Sequence, residues 1–265
     1  MGGTITAEFR KLFTTRLWWG MAIGVFVAGA GLAGLFAAIA GRDFGGGGGR
    51  GQVKLDALQT ATNVYVSGLS IAYLMTLAIG VMAIGAEYRH KTITSTFLAT
   101  PRRVRVMVAK VVSLLGSGAF YGLVFVVGSV GVGATVLSLR SLPAFPETGP
   151  ILRTLALSLL VLGLWALIGL GAGILIPNQV AALLVAIGVA WIVEPIAGVV
   201  LGNWSWGADI ARFFPSQATG AIVQSVSGAP GADPLPWWGG ALVLVAYAAL
   251  LAGIGSALTV RRDVT

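Results

Sequence analysis

The chain contains no cysteine, one histidine and nine acidic residues among 265. Without cysteine there is no disulfide framework, no thiol catalysis and no Cys-ligated zinc or iron–sulfur site. His90 alone cannot build a metal site, and no Ser/His/Asp set, H-E-x-x-H motif or carboxylate pair within an apolar run is present to carry chemistry. Charged residues are 10% of the chain, where soluble domains carry about 25%, which excludes a water-soluble globule and a disordered tail. In their place stand 57% hydrophobic residues and a mean hydropathy of +0.91. This is the composition of an all-α membrane protein. The 17 basic residues give a net charge of +8, an excess explained first by membrane topology, so no nucleic-acid partner is expected.

A spanning helix needs about 20 apolar residues, each rising about 1.5 Å across a hydrocarbon core about 30 Å thick. The long charge-free runs are 17–41, 57–86, 111–139, 154–193 and 235–260. The fourth is about twice the length required and is interrupted by Ile176-Pro177-Asn178-Gln179, a helix breaker followed by two amides, so it reads as two spans. Six spans are therefore expected, at 17–40, 65–86, 108–137, 154–175, 180–202 and 237–260, in a single transmembrane domain. Arg10, Lys11 and Arg16 precede the first run as they would in a secretory leader. That run far exceeds the ~7–15 residues of a leader's apolar core, so it is expected to be retained.

Six crossings put both termini on one side. On that side fall Arg10, Lys11, Arg16, Arg89, Lys91, Arg102, Arg103, Arg105, Lys110, Arg261 and Arg262. The opposite side holds Arg42, Arg50, Lys54, Arg140, Arg153 and Arg212, diluted by Asp43, Asp56, Glu147, Asp209 and Asp233. The positive-inside rule then expects cytoplasmic termini, and the missing cysteine fits a bacterial inner membrane.

Ile5, Phe9, Leu12 and Phe13 fall on one helical face, with Lys11 away from it and Glu8 at its edge. They describe either a helix lying in the membrane interface or the frayed start of the first span. Gly45-Gly46-Gly47-Gly48-Gly49-Arg50-Gly51 is followed by Gln52 where a phosphate-binding loop needs Lys, so it reads as a linker and the chain has no nucleotide motif of its own. The connection between spans two and three, about 87–107, is far longer than the ~2–8 residues of a passive helix–helix turn. Phe97 and Leu98, flanked by Arg and Lys, read there as a protein-docking knob, or the segment lies against anionic lipid. Residues 203–236 are too apolar for a free loop. Pro215 suits the first turn of a short helix over 216–227, giving a re-entrant or interfacial hairpin or a loop folded on the bundle. Glu194, followed by Pro195, is the acidic residue within the expected spans. An ionisable group there costs about 3 kcal/mol and serves either function or a hydrogen bond across the gap that Pro195 opens. Gly20/Gly24, Gly118/Gly122 and Gly169/Gly173 have the spacing of close helix packing.

Glu8-Phe-Arg-Lys-Leu-Phe-Thr-Thr-Arg, Gly85-Ala-Glu-Tyr-Arg-His-Lys-Thr leading to Leu98-Ala-Thr-Pro-Arg-Arg, the Ile176-Pro-Asn-Gln turn, Phe213-Phe-Pro and the terminal Arg261-Arg-Asp-Val-Thr together resemble an ABC-2-type transporter permease. The E-Y-R-x-x-T…P-R-R block is the most specific part, and the similarity runs along nearly the whole chain. The resemblance implies a six-helix transmembrane subunit of an ATP-driven exporter, with an N-terminal interfacial helix and a re-entrant outer hairpin. It implies a second permease copy and two copies of a separate ATPase, which would hold ATP and Mg, leaving no cofactor and no catalysis on this chain. It further implies ATPase contact through Glu87, Arg89, Thr92, Thr96, Phe97, Leu98, Pro101 and Arg102, with the helix around Ile5, Phe9, Leu12 and Phe13 adjoining. The cargo, a drug, antibiotic or lipid-like molecule, is not selected by any of these residues. The other classes open are a non-transporting anchor or sensor subunit and a self-contained secondary carrier. A carrier would be expected to show inverted repeats and several intramembrane charges.

Overall fold

A computed structural model of the chain describes residues 2–41, 56–89, 103–204, 206–224 and 235–262. Every regular element among them is helical. Among the described residues six helices are long and apolar enough to cross a membrane: Leu17–Ile39, Ala57–Glu87, Val106–Leu139, Thr148–Leu175, Gln179–Leu201 and Trp237–Gly255. The protein is thus an all-α membrane protein.

Helix α1 (Gly2–Phe13) lies before the first span, α2 (Leu17–Ile39). The second span is made of α3 (Ala57–Val66) and α4 (Leu69–Arg89). It begins at Ala57 rather than at the expected 65, because helix start is set by a cap and not by hydropathy. Asp56 Oδ1 accepts from the Gln59 N–H at 2.7 Å, and the Gln59 side chain accepts from the Asp56 N–H at 3.4 Å. These reciprocal bonds satisfy amide donors that a helix start otherwise leaves open. The third span, α5 (Arg103–Leu139), and the fourth, α6 (Thr148–Leu175), likewise extend beyond the expected 108–137 and 154–175. Arg153 ends a charge-free run without ending a helix.

The Ile176-Pro177 break separates α6 from α7 (Gln179–Gly188) as the sequence predicts. Asn178 caps α7, its Oδ1 accepting from the N–H groups of Val180 at 3.0 Å and Ala181 at 3.1 Å. A π-helical turn, Val189–Val193, then leads into α8 (Glu194–Leu201), and the three pieces form the fifth span. Pro195 cannot donate a backbone N–H, and a wider turn just before it removes the steric conflict. After it come two short helices, α9 (Gly207–Ala211) and α10 (Pro215–Val223), and the last span, α11 (Trp237–Arg262). Helix α10 starts at Pro215 as expected but stops short of 227, because Gln224 adopts a left-handed conformation at φ 53°.

Helix α6 is the hub and is mostly buried, with α4, α5, α10 and α11 packed around it. The fifth span lies at the edge of the bundle, exposing Leu184, Trp191 and Val199. Glycine permits the closest seams. A Cβ at Gly80 would collide with the Ala166 carbonyl, and one at Gly169 with the Leu77 carbonyl. Gly118 faces the backbone of Gly163, Gly122 faces Leu159 and Gly173 faces Ile84. Two of the three glycine pairs singled out from spacing therefore lie in interhelical seams, whereas Gly20 faces open space.

Two ends can be distinguished. The proximal end carries α1, the close of α4, the start of α5 and the close of α6 and α11. The distal end carries α3, the α5–α6 connection and α9–α10. At the distal end Arg140 closes the seam between α5 and α2. Its Nη1 donates to the carbonyls of Ala37, Ala38 and Ala40 at 3.1, 2.6 and 2.7 Å, placing a cation where α2 leaves carbonyls unpaired.

Candidate functional site

At the proximal end two carboxylates and two ammonium groups converge from three helices. Glu8 and Lys11 come from α1, Glu87 from the last turn of α4, and Lys110 from the second turn of α5. Lys110 Nζ donates to Glu8 Oε2 at 2.7 Å, to Glu87 Oε1 at 2.9 Å and to the Ala83 carbonyl at 3.4 Å. An ammonium has three N–H groups, so Lys110 is fully paired, and its side chain is only 1% exposed. Lys11 Nζ donates to Glu8 Oε1 at 2.6 Å and Glu87 Oε1 at 2.8 Å while remaining about half exposed. The quartet is neutral overall. Burial alone pushes the Glu8 carboxyl up, but the Lys110 charge and the hydrogen bonds from Lys11 and Lys110 outweigh it and hold the group below its ordinary 4.5. Burial likewise pulls the Lys11 ammonium down, and its bonds to Glu8 and Glu87 outweigh that and raise it above 10.5.

The apolar side of α1 seats the quartet. Phe9 packs on Gly116, where no side chain intervenes. Phe13 meets Phe120 edge-on at 5.5 Å and Trp18 at 5.8 Å. Ile5, Phe9, Leu12 and Phe13 are all half-buried, so α1 lies against α5 as a packed element. The charge positions differ from the sequence expectation. Glu8 is not at the edge of the apolar face but buried within the contact, and the Lys11 side chain reaches back to the same two carboxylates. A short carboxylate can point into a helix seam when a buried lysine waits opposite, and a helical wheel of α1 alone contains no information about Lys110.

Among the residues implied in ATPase contact, Glu87 is buried in the quartet and Arg89 is exposed at the end of α4. Thr92, Thr96, Phe97, Leu98, Pro101 and Arg102 lie outside the described residues. Lys110 is the functional candidate that sequence reasoning missed, counted there among the basic residues of the loop side. The signal was present. A lysine flanked by Met107-Val-Ala and Val111-Val, inside a helix, has no solvated face to occupy and requires a buried partner.

A second polar seam joins the fifth span to the distal hairpin. Glu194 is buried, and its Oε2 accepts from the Ser216 N–H at 2.9 Å, close to the N-terminus of α10 where a negative charge is favoured. One helical turn on, Thr219 Oγ1 accepts from the Trp165 indole N–H at 2.8 Å, and Trp165 stacks on Tyr73 with centroids 4.0 Å apart. Glu194 thus has a hydrogen-bonded partner across the gap beside Pro195, and the pair of bonds seats α10 against α6 and α8.

Comparison with protein-family models, curated proteins and solved structures yields no match.

Proposed function

We propose that this chain is the membrane-spanning subunit of an ATP-driven exporter of the ABC-2 type, working as a pair of permeases in a bacterial inner membrane with two copies of a separate ATPase. The observation that carries the reading is the quartet. The ends of α4 and α5 flank residues 90–102, and both are tied through buried charges to α1. A force applied to that basic connection by a motor would be delivered to the second span, the third span and the interfacial helix together. The positive-inside rule puts this proximal end in the cytoplasm, where ATP is found. The chain lacks a phosphate-binding loop of its own, so the energy would come from the partner.

In this scheme closure of the paired ATPases on ATP moves the two 90–102 segments and rearranges the two bundles to open a path for an amphipathic cargo. The test is affinity purification of the tagged chain from its native membranes, with the co-purifying proteins assayed for a cassette ATPase. Equimolar co-purification is expected, and Phe97→Asp should reduce recovered ATPase about tenfold while membrane insertion is unchanged. Recovery equal to wild type would refute the docking role.

A further inference from the structure

A cavity of about 480 Å3 lies toward the distal end between α3, α4 and α10, with Phe36 of α2 at its side. That size falls within the ~300–1,000 Å3 range of small-molecule sites. From Asn63 to Tyr73 the second span forms about 15 Å of its wall, at a rise of about 1.5 Å per residue.

The polar groups on the walls are hydroxyls, from Ser67, Ser70, Tyr73, Ser216 and Thr219, and the carboxamides of Asn63 and Gln217. Among the described residues no charged side chain lines the cavity. Ser67 Oγ donates to the Val64 carbonyl at 2.8 Å, and Thr219 Oγ1 to the Pro215 carbonyl at 2.9 Å. A hydroxyl has one hydrogen and two lone pairs. With the hydrogen committed, Ser67 retains two acceptor sites, and Thr219 retains one after accepting from Trp165. Walls weighted toward acceptors favour a ligand that donates.

Charge decides what kind of donor. Ser216 belongs to the wall, and its N–H lies 2.9 Å from Glu194 Oε2, so a buried carboxylate stands one hydrogen bond behind the cavity. The N-terminus of α10 offsets only about half an elementary charge. Among the described residues the distal arginines are engaged elsewhere: Arg140 with the carbonyls of α2, Arg153 over Trp237 at 5.8 Å and Arg212 with Asp209 at 3.7 Å. Seating α10 needs an acceptor, which a glutamine would also supply. An ionised group within a span carries an added cost, and a cation in the cavity offsets it. Tyr73 and Phe36 bring aromatic rings to the walls, and ring faces attract a cation.

We infer that this cavity binds a protonated primary amine with an apolar body, drawn by the charge of Glu194 behind Ser216, donating to Ser67 and Thr219 and packing against Tyr73. The inference concerns this chain alone and does not need the ATPase reading.

The test uses the full chain in phosphatidylcholine nanodiscs without ATPase at pH 7, with empty discs subtracted and binding read by equilibrium dialysis. Three probes share one body and differ in head: 2-(2-naphthyl)ethylamine, 2-(2-naphthyl)ethanol and 3-(2-naphthyl)propanoate. The amine is expected to saturate at one per chain and to bind at least tenfold tighter than the other two, as a charge attraction in a low-dielectric site allows. Glu194→Gln keeps the acceptor for Ser216 and removes the charge. It should lower amine affinity at least tenfold and leave the alcohol within about threefold. Ser70→Phe, which fills the cavity without replacing Glu194 or Ser216, should abolish saturable amine binding. Replacing part of the disc lipid with phosphatidylethanolamine separates two sources of the same head. Displacement of the probe assigns the site to a lipid ammonium, and retention assigns it to a soluble amine. The proposal fails if the alcohol matches the amine, if the propanoate binds tighter, if binding does not saturate above empty discs, or if either variant binds the amine as wild type does. The probe series on the wild-type chain decides the matter even if both variants fold poorly.

Discussion

Replacing Lys110 with Met tests whether the quartet holds α1 to the bundle. Lys110 is 1% exposed and gives hydrogen bonds to both buried carboxylates. Its removal leaves Glu8 and Glu87 facing each other with the half-exposed Lys11 as their remaining cation among the described residues. Breaking a buried pair by deleting one partner costs about 3–5 kcal/mol, a change of roughly two to three and a half orders of magnitude in the folding equilibrium at about 1.4 kcal/mol per tenfold. Removing the charges together should cost far less, because a set replaced by apolar or neutral groups of similar volume is often neutral. The triple variant Glu8→Gln, Glu87→Gln, Lys110→Met is therefore expected to recover most of the loss. Equilibrium unfolding in mixed micelles, titrated with dodecyl sulfate and followed by tryptophan fluorescence, measures both. A loss below about 1 kcal/mol for Lys110→Met, or a triple variant less stable than the single, would refute the reasoning.

The same quartet sets a pH window. Glu8 titrates below its ordinary value, so its contribution is complete above pH 4.5 and is lost as pH falls through the folded-state value. Lys11 titrates above its ordinary value, so its contribution is complete below pH 10.5 and is lost as pH rises through the folded-state value. The stability difference between wild type and Glu8→Gln should accordingly shrink on acidification below pH 4.5; a difference that stays constant down to pH 2 would exclude the assignment. In the α4–α6 seam, Gly80→Ala pushes a methyl group into the Ala166 carbonyl and should cost roughly 1–3 kcal/mol as overpacking does. Gly20→Ala, in open space, should be neutral or stabilising, and thermal unfolding of the pair separates the two cases. At the distal seam Glu194→Gln keeps an acceptor for the Ser216 N–H, while Glu194→Ala removes it. The alanine variant should lose about 1–3 kcal/mol and the glutamine variant markedly less, and equal losses would show that the bond does not seat α10.

Much of the bundle can be read from local pattern. The spans follow from charge-free length, the α6–α7 turn from Pro177 with Asn178, and the start of α10 from Pro215, because each of these is decided by residues within one helical turn. Helix ends were harder to place. Hydropathy reports which residues tolerate lipid, whereas Asp56 with Gln59 and the left-handed Gln224 decide where a helix begins or stops. The candidate site was the least legible part. Glu8 and Lys110 stand 102 positions apart in sequence, and no periodicity within α1 or α5 reports that they meet. Counting Lys110 toward topology hid it, since the positive-inside rule treats every loop-side base alike and asks nothing about burial. Glu194 was visible as an anomaly, but its partner is a backbone amide, and any residue other than proline could have supplied that.

Topology is the measurement that bears most directly on the account. The chain has no cysteine, so single cysteines at Thr96 and Ser141 report on the two sides without background. With a membrane-impermeant maleimide, Ser141→Cys should label in intact cells, and Thr96→Cys only after the membrane is opened. Labelling of Thr96→Cys in intact cells would place the basic connection away from any cytoplasmic motor and contradict the account.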